Sequence, residues 1–359
     1  MRKTFDEVFE DVTKFGTKVK TDEYHADGVH VIIDQGHEQI AGYTDSEEGL
    51  FTSVPALIFG DHTRVVKYVD MPFFLGADGV KVLRSRFADA NYRYLYYALK
   101  SIRVPNTGYN RHFKWLKEAE IEYPNNTEQR SIVSILDRLS DIIDARKAEL
   151  QKLDELIKVR FVEMFDDGES PMKTVEELCS EIVDCPHTTP RYEGELKHPA
   201  IRTSEIKKGY IAWDTMRYVS DEEYEERVAR LRPEKGDIVY GREGTFGNAA
   251  VLPGGYSFCL GQRVMLLRPD YSKCTSEYLL HAVISDDVYR QAVEKNNAST
   301  VAHVNVKDVK QFKVPLPSFE KQRSFAYYVS QVEKSKAAVQ QALDKAKLLF
   351  DSLMQKYFG

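Results

Sequence analysis

Residues 124–165 read PNNTEQRSIVSILDRLSDIIDARKAELQKLDELIKVRFVEMF, and residues 317–358 read PSFEKQRSFAYYVSQVEKSKAAVQQALDKAKLLFDSLMQKYF. The two stretches align without a gap at an offset of 193 residues, and nine of their 42 positions are identical. Unrelated segments of ordinary composition would share roughly two or three positions. The chain therefore contains one segment twice, which predicts a protein built from two similar halves.

Both copies carry the apolar spacing of a long coiled-coil helix. Eight positions at alternating steps of four and three begin at Ile132 in the first copy and at Phe325 in the second, and seven of the eight are apolar in each. This period of ~3.5 residues predicts helices that bury one seam. Arg146 and Lys336 interrupt the seam. Their long side chains either reach out of it and set the register, or mark surfaces that receive partner proteins.

The residues before each helix repeat more faintly. Residues 54–85 and 235–269 both contain an apolar strand ending in Gly, a polar turn, a second strand and a Val-rich strand. Short amphipathic helices are predicted after them, at 92–99 and 276–283. The predicted fold class is α+β: two globular mixed α/β domains separated by two long antiparallel coiled-coil helices with pseudo-twofold symmetry. The predicted boundaries are 1–123, 124–166, 167–316 and 317–359.

Chain order predicts how the helices run. The ends of a domain usually lie close together, so the second helix must return along the first to bury its seam. The first helix, taken as 128–165, would be ~57 Å long at ~1.5 Å per residue, which is about 17 base pairs at ~3.4 Å each. We expect one globular domain at each end of the pair, held apart as in a caliper.

Composition limits the class of protein. With 359 residues, 42% of them hydrophobic and 30% charged, the chain is long enough for two or three folded domains. No apolar run approaches the ~18 residues of a membrane span. All four cysteines lie in the second half. That placement argues against a disulfide framework and favours a reducing, cytoplasmic location.

The charge distribution points to a nucleic-acid contact in the first half. The net charge of −6 counts against a simple nucleic-acid binder. Yet residues 90–117 hold six Lys and Arg side chains, interleaved with aromatic residues, and no acidic residue. The loop at 105–114, PNTGYNRHFK, suits phosphate contact and insertion into a groove. The alternative is a solvated helix face followed by a turn.

Two further segments are candidates in the second half. Residues 294–307, EKNNASTVAHVNVK, match the basic loop in position and offer side chains that pair with base edges, although such clusters are commonly ordinary loops. Residues 241–247, GREGTFG, place Arg242 at the tip of a loop that resembles a phosphate-binding loop only superficially and is more simply a hairpin turn. The candidate DNA-binding residues are Arg103, Tyr109, Asn110, Arg111, His112, Lys114, Arg242, Asn296, Asn297, Ser299, Thr300 and His303.

Motifs of catalysis are missing from the sequence. It has no [Asn/Asp]-Pro-Pro-aromatic tetrapeptide of an amino-methyltransferase, no Walker loop, no dinucleotide fingerprint, no nucleophile elbow and no His-Glu-x-x-His helix. Cys179, Cys185 and His187 are spaced poorly for zinc and lack a fourth ligand. We therefore predict no catalytic residue and no metal site on this chain.

The ordered set of repeated phrases resembles a known family. The helices that begin Pro-x-x-x-[Glu/Lys]-Gln-Arg, together with VIIDQGHEQIAGYTD at 31–45, FTSVPALIFGD at 51–61, VDCPHTTPRY at 183–192 and KVPLPSFEKQR at 313–323, resemble the specificity subunit of type I restriction-modification systems. The resemblance covers essentially the whole chain. It implies two target recognition domains that each read one half of an asymmetric, bipartite target in double-stranded DNA.

The resemblance also implies partners and the location of the chemistry. The repeated helices would separate the half-sites and dock two methyltransferase subunits, with restriction/translocase subunits completing the complex. Adenine methylation or DNA cleavage would be carried out by those partners. They, and not this chain, would hold S-adenosylmethionine, ATP and magnesium. This chain would be non-catalytic, and no membrane association is expected.

Two other classes of protein remain open at this point. One is a protein–protein adaptor whose coiled coil displays two binding modules without DNA. The other is an enzyme with an unrecognised site, against which the missing motifs argue. A DNA-binding protein must lose affinity steeply as salt rises, so a gel shift separates it from an adaptor.

Overall fold

The computed structural model describes residues 1–76, 78–108, 110–166, 168–193, 197–244, 247–295 and 303–359. They form two compact units. The first unit comprises Met1–Ala148 and Gln340–Gly359, and the second comprises Glu149–Val339. Each unit therefore contains one end of each long helix. Within the described ranges, no helix combines the length and apolar character needed to cross a membrane.

The first unit combines short sheets with helices. Its elements in chain order are β1 (Arg2–Thr4), α1 (Phe5–Val8), β2 (Phe9–Asp11), β3 (His30–Ile33), β4 (Gly42–Thr44), β5 (Ala56–Gly60), β6 (Val66–Val69), β7 (Phe73–Leu75), β8 (Val80–Ser85), α2 (Tyr92–Ser101), α3 (Phe113–Lys117), β9 (Glu120–Glu122) and the start of α4 (Asn126–Phe165). One antiparallel sheet has the order β2-β8-β5-β6, and a second has the order β4-β3-β7, in which β3 and β7 are parallel. Strands β1 and β9 pair antiparallel at the base of the long helix.

The second unit repeats this plan and adds to it. Its elements are the end of α4, β10 (Met172–Thr174), α5 (Val175–Leu178), β11 (Cys179–Asp184), β12 (Tyr192–Glu193), β13 (His198–Ile201), β14 (Arg217–Val219), α6 (Asp221–Arg227), β15 (Ile238–Gly241), β16 (Ala249–Val251), β17 (Cys259–Leu260), β18 (Val264–Pro269), α7 (Ser276–Val283), α8 (Asp286–Lys295), α9 (Val306–Gln311), β19 (Lys313–Pro315) and the start of α10 (Phe319–Phe358). The sheets β11-β18-β15-β16 and β12-β14-β13-β17, and the pair β10-β19, match those of the first unit. The short helices predicted before the long ones are confirmed as α2 and α7.

Equivalent local interactions start both units. In the first, the backbone N–H of Thr4 donates to the Glu7 carboxylate at 2.6 Å. In the second, Thr174 and Glu177 make the same bond at 2.8 Å. This capping box satisfies donors that a helix start would otherwise leave without partners. The Thr and Glu three residues apart therefore recur in both units because each pair forms the same capping box.

A buried glutamine marks the start of each long helix. Gln129 is fully buried, and its Nε2 donates to the Pro124 carbonyl at 2.9 Å. Gln322 is also fully buried and donates to the Pro317 carbonyl at 3.0 Å. Because a buried amide needs partners, the side chain folds back onto the proline two residues before the first helical residue. This geometry explains why Pro and Gln recur five residues apart in both copies.

The predicted seam is buried, and the helices run antiparallel within each unit. In the first unit, Tyr94 of α2 packs against Phe358 near the end of α10 (ring centroids 5.3 Å apart), while Ile132 and Leu136 near the start of α4 lie in the same core. In the second unit, Phe161 near the end of α4 packs on Phe325 near the start of α10 at 5.5 Å. None of the sixteen seam positions is exposed. The α+β fold with two mixed domains and two long antiparallel helices is confirmed.

The charge of Lys336 within the seam is neutralised locally. Its Nζ lies 2.7 Å from Asp154 of α4 and 2.8 Å from Glu333 of its own helix. The side chain is 22% exposed, so it reaches the seam edge rather than ending in the core. These contacts favour the interpretation of Lys336 as a structural, register-setting charge.

Candidate nucleic-acid interface

Loops of the first unit are joined by Gln35, which follows β3. Its Oε1 accepts a hydrogen bond from the His62 N–H at 3.1 Å, and its Nε2 donates to the Asp78 carbonyl at 3.0 Å. The loop before α3 is attached to the same edge, because the His112 N–H donates to the Asp61 carbonyl at 2.8 Å. Segments distant in sequence are thus held together at one edge of the unit.

A cleft with cationic and aromatic walls lies at this edge. We call it the first cleft, and it is lined by Thr107, Asn110, Arg111, Lys114 and Trp115. The Asn110 amide donates to the Thr107 carbonyl, which folds the loop back on itself. The Lys114 ammonium lies 4.2 Å from the centre of the Trp115 indole ring. Arg111 and Lys114 are exposed, as is Arg103 at the end of α2. Exposed cations beside an aromatic ring suit contact with phosphates and bases.

Half of the basic run also makes contacts within the fold. Arg93 forms an ion pair with Asp137 of α4. The Lys100 ammonium lies 5.8 Å from the ring centre of Phe350, and that of Lys117 lies 5.4 Å from the ring centre of Phe113. All three contacts lie within the first unit. Of the six cations in the run, only Arg93 is partly buried, and the other five are exposed.

His112 does not reach the surface. It is fully buried, and its Nδ1 lies 2.9 Å from the Asp61 carbonyl. A ring in that position cannot contact a base, so the prediction of His112 as a direct DNA contact is wrong. Its role is to attach the start of α3 to the turn after β5.

Arg242 is likewise buried rather than exposed at a loop tip. It is 6% exposed, and its guanidinium pairs with Asp184 at 2.7 Å. Strands β15 and β16 on either side pair antiparallel, which confirms the hairpin interpretation of this segment. The prediction that Arg242 projects from the turn is wrong, because a carboxylate 58 residues away in the chain holds its side chain.

The second unit has a cleft of its own, formed where β11, the β15–β16 turn and α9 meet. We call it the second cleft, and it is lined by Asp184, His187, Arg242, Glu243, His303, Asn305, Val306, Lys307 and Asp308. The predicted residue His303 lies in its wall. Its Nδ1 is 3.3 Å from Glu243, and its Nε2 is 3.2 Å from the Asn305 side-chain oxygen.

Several predicted residues fall outside the described part of the chain and stay predictions. They are Tyr109, Asn296, Asn297, Ser299 and Thr300.

The sequence argued against a zinc site at Cys179, Cys185 and His187. Among the described residues, no group of three or more His, Cys, Asp or Glu side chains could hold a metal ion. Burial raises the pKa of the Cys179 thiol, which disfavours the thiolate that a metal would need.

Sequence reasoning missed most of the second cleft. Asp184, Glu243 and Asp308 were not among the candidates, because negatively charged carboxylates are not expected on a surface that binds the negatively charged DNA backbone. One signal could have indicated the region. The offset of 193 residues maps Lys114 onto Lys307.

Comparison with known proteins assigns the family. Residues 3–155 and 194–347 each match the family model described as "Type I restriction modification DNA specificity domain". Together these segments cover more than four fifths of the chain. The chain belongs to this family. As a member, it is a specificity subunit of a type I restriction-modification system and acts in recognition of the DNA target.

Relatives and solved structures agree with this assignment. The specificity subunit of the type I restriction enzyme EcoR124I/EcoR124II of Escherichia coli is 23% identical over 355 residues, covering 88% of this chain and 81% of that protein. A putative MjaX specificity subunit of Methanocaldococcus jannaschii is 24% identical over 178 residues, covering 48% and 41%. The crystal structure of the type I S subunit from M. genitalium superposes with a TM-score of 0.60 at 18% identity, covering 100% of this chain and 96% of that one. This specificity subunit therefore shares its fold with a solved S subunit.

Proposed function

We propose that this specificity subunit reads an asymmetric, bipartite sequence in double-stranded DNA, with one half-site for each unit. The observation that carries the proposal is that a cleft recurs at the same place in both units and is lined by different side chains. Each unit has a cleft at the start of the short helix that precedes β9 or β19. Since the clefts differ in chemistry, the two half-sites should differ in sequence.

In the first unit, Arg103, Asn110, Arg111 and Lys114 are the proposed contacts. The Arg and Lys side chains are exposed and suited to phosphates, whose neutralisation supplies much of the affinity of DNA-binding proteins. Arg111 can also pair in bidentate fashion with the O6 and N7 atoms of guanine. Tyr109 next to it is proposed from its place in the same loop.

In the second unit, His303 and the residues around it in the second cleft are the proposed contacts. Asn296, Asn297, Ser299 and Thr300 are proposed from sequence alone, because they lie in the loop leading to this cleft. Arg242 and His112 support these surfaces from within the protein. We assign no DNA contact to His112.

The chemistry is proposed to reside in partner subunits. Methyltransferase subunits would methylate adenine with S-adenosylmethionine, and restriction/translocase subunits would use ATP and magnesium for cleavage. Support comes from the sequence of this chain, which lacks the tetrapeptide of amino-methyltransferases and the Walker loop. This chain would supply the choice of sequence and no catalytic group.

Exposed apolar side chains on α4 offer a place for such partners. In the second unit, Leu156, Val159 and Val162 are 48%, 44% and 50% exposed. In the first unit, Ile135 and Ile142 are 39% and 46% exposed. Apolar residues at these spacings face the same side of a helix and gain stability when a partner covers them.

The test is a map of methylated adenines in DNA of cells that carry this chain with its methyltransferase. The expected result is one split motif that disappears when the chain is deleted. Exchanging residues of the first cleft should then change only one half of the motif. The proposal would be overturned if deleting the chain removed no methylated motif, or if the motif that it removed had no central gap.

A further inference from the structure

The two clefts occupy equivalent places in the two units. Lys114 is the second residue of α3, and Lys307 is the second residue of α9. In each unit, the loop before the helix donates a backbone hydrogen bond to the residue that follows the first hairpin strand. In the first unit the acceptor is the Asp61 carbonyl, and in the second it is the Arg242 carbonyl, which accepts from the Val304 N–H at 2.9 Å. Both clefts therefore present comparable positions to the same kind of ligand.

Their chemistry is not equivalent. The lining of the first cleft contains two cations and no carboxylate. The lining of the second cleft includes three carboxylates, those of Asp184, Glu243 and Asp308. Acidic side chains repel DNA phosphates, so they weaken binding to DNA of any sequence. We therefore expect the DNA ligand of this cleft to carry a group that donates a hydrogen bond to a carboxylate.

The three carboxylates differ in how many further hydrogen bonds they can accept. Asp184 is committed to Arg242 at 2.7 Å. Glu243 forms an ion pair with Arg263, whose Nε lies 2.9 Å from its carboxylate, and it faces His303.

Asp308 accepts one weak bond, from the Asn305 Nδ2 to its Oδ2 at 3.3 Å, and its Oδ1 has no partner within the described ranges. A carboxylate offers about four lone-pair sites. Asp308 is therefore the strongest open acceptor at the rim.

A second observation comes from Arg242 in the same lining. Its side chain is 8% exposed, and its Nε–H has no acceptor within the part of the chain that the structure describes. A buried donor without a partner is costly, and such a donor in the wall of a cleft indicates a missing acceptor. The second cleft thus pairs an open acceptor at Asp308 with an open donor at Arg242.

In the major groove, only bases with an exocyclic amino group donate a hydrogen bond. Adenine offers its N6 amino group beside the acceptor N7, and cytosine offers its N4 amino group. Guanine presents two acceptors, which suit the cationic first cleft instead. We propose that the second cleft receives the exocyclic amino group of an adenine or cytosine of the target, with Asp308 as the accepting, specificity-determining residue. This inference rests on the proposed function, namely that the second unit reads one half-site.

The experiment measures affinity and base preference separately. The full-length chain, co-purified with its methyltransferase partner, is used for selection from a random duplex library and for binding to one unrelated duplex. Asp308→Leu removes both the charge and every side-chain acceptor at this position, whereas Asn would keep a carbonyl oxygen that can accept from adenine N6.

We expect Asp308→Leu to bind the unrelated duplex more tightly and to lose about tenfold of its preference for adenine or cytosine at one position, within the range that a single base contact supplies. Glu222→Gln is the matched control, because it removes one negative charge from the exposed face of α6, and it should leave the base preference unchanged.

A merely structural role for Asp308 would lower the melting temperature without changing which base is preferred. Unchanged preference in folded Asp308→Leu overturns the inference, whatever the affinity. If that variant does not fold, Asp308→Ala is scored at the same position, and unchanged preference there has the same consequence. If the wild-type complex selects no sequence and its binding shows no salt dependence, the proposed function itself fails.

Discussion

Gln322 and Gln129 provide a comparison of one residue in two copies of the same helix start. We predict that Gln322→Met destabilises the second unit much more than Gln129→Met destabilises the first. Methionine is similar in volume and flexibility, so both substitutions remove the amide while keeping the space filled. The stabilisation from burying an apolar side chain in place of the amide should be nearly the same at both sites, so it should cancel when the two variants are compared.

The magnitude follows from the hydrogen bonds. Gln322 makes three: its Nε2 donates to the carbonyls of Pro317 at 3.0 Å and Lys273 at 3.1 Å, and its Oε1 accepts from the Thr275 N–H at 2.9 Å. A net loss of ~1 kcal/mol for each bond gives about 3 kcal/mol. Gln129 makes one such bond to a backbone carbonyl, and its Oε1 has no partner among the described residues. Its replacement should therefore cost about 1 kcal/mol.

The two tryptophans allow each unit to be followed by itself, since Trp115 lies in the first unit and Trp213 in the second. Urea unfolding is recorded by fluorescence, with Trp115→Phe as background for the Gln322 variant and Trp213→Phe for the Gln129 variant. We expect the free energies of unfolding to fall by amounts that differ by ~2 kcal/mol, a factor of about 30 in the unfolding equilibrium. Equal losses, or a larger loss in the first unit, would refute the reasoning from hydrogen-bond number.

Three further predictions concern single side chains. Burial, with a smaller contribution from Lys336, lowers the pKa of His281 from 6.5 to about 4. Its contribution to stability is thus present above pH 6.5 and lost as pH falls towards 4, so the wild type should lose up to about 2 kcal/mol between pH 7 and 5. His281→Phe should lack this part of the pH dependence in urea titrations, and parallel curves would contradict it. Lys336→Met should leave the melting temperature unchanged or raise it, because replacing a partly buried ion pair by an apolar side chain is often neutral or stabilising. A clear drop in the melting temperature would show instead that the ion pair with Asp154 holds the helices together. Arg111→Ala should weaken binding of the complex to its target by about 1–3 kcal/mol if Arg111 reads a guanine, whereas equal losses on all duplexes would make it a phosphate contact.

The long helices and the repeated plan were accessible from the sequence. Seam positions such as Leu136 and Leu343 could be assigned because a helix repeats its faces at a fixed period, whatever surrounds it. The hairpin around Arg242 and the short helix α7 were also predictable, since turns and amphipathic helices are local patterns. The basic loop before α3 was located by composition alone.

The assignments within the interface were less predictable. His112 and Arg111 are neighbours in a loop of polar and aromatic residues, and nothing in the sequence separates the buried ring from the exposed guanidinium. Arg242 resembled a loop tip until the structure placed Asp184 beside it. Such outcomes depend on pairs distant in the chain, and a local pattern carries no information about them.

By itself, the sequence determined that this specificity subunit has two related halves, each tied to a long amphipathic helix, because periodicity and duplication are properties of the order of residues. Tertiary structure decided which charges are free to meet DNA and which are used within the fold. It buried Arg242 against Asp184 and left Arg111 and Asp308 at the clefts. The reason is that the energy of a charge depends on its solvation and its neighbours, and both are set only when distant strands and loops come together.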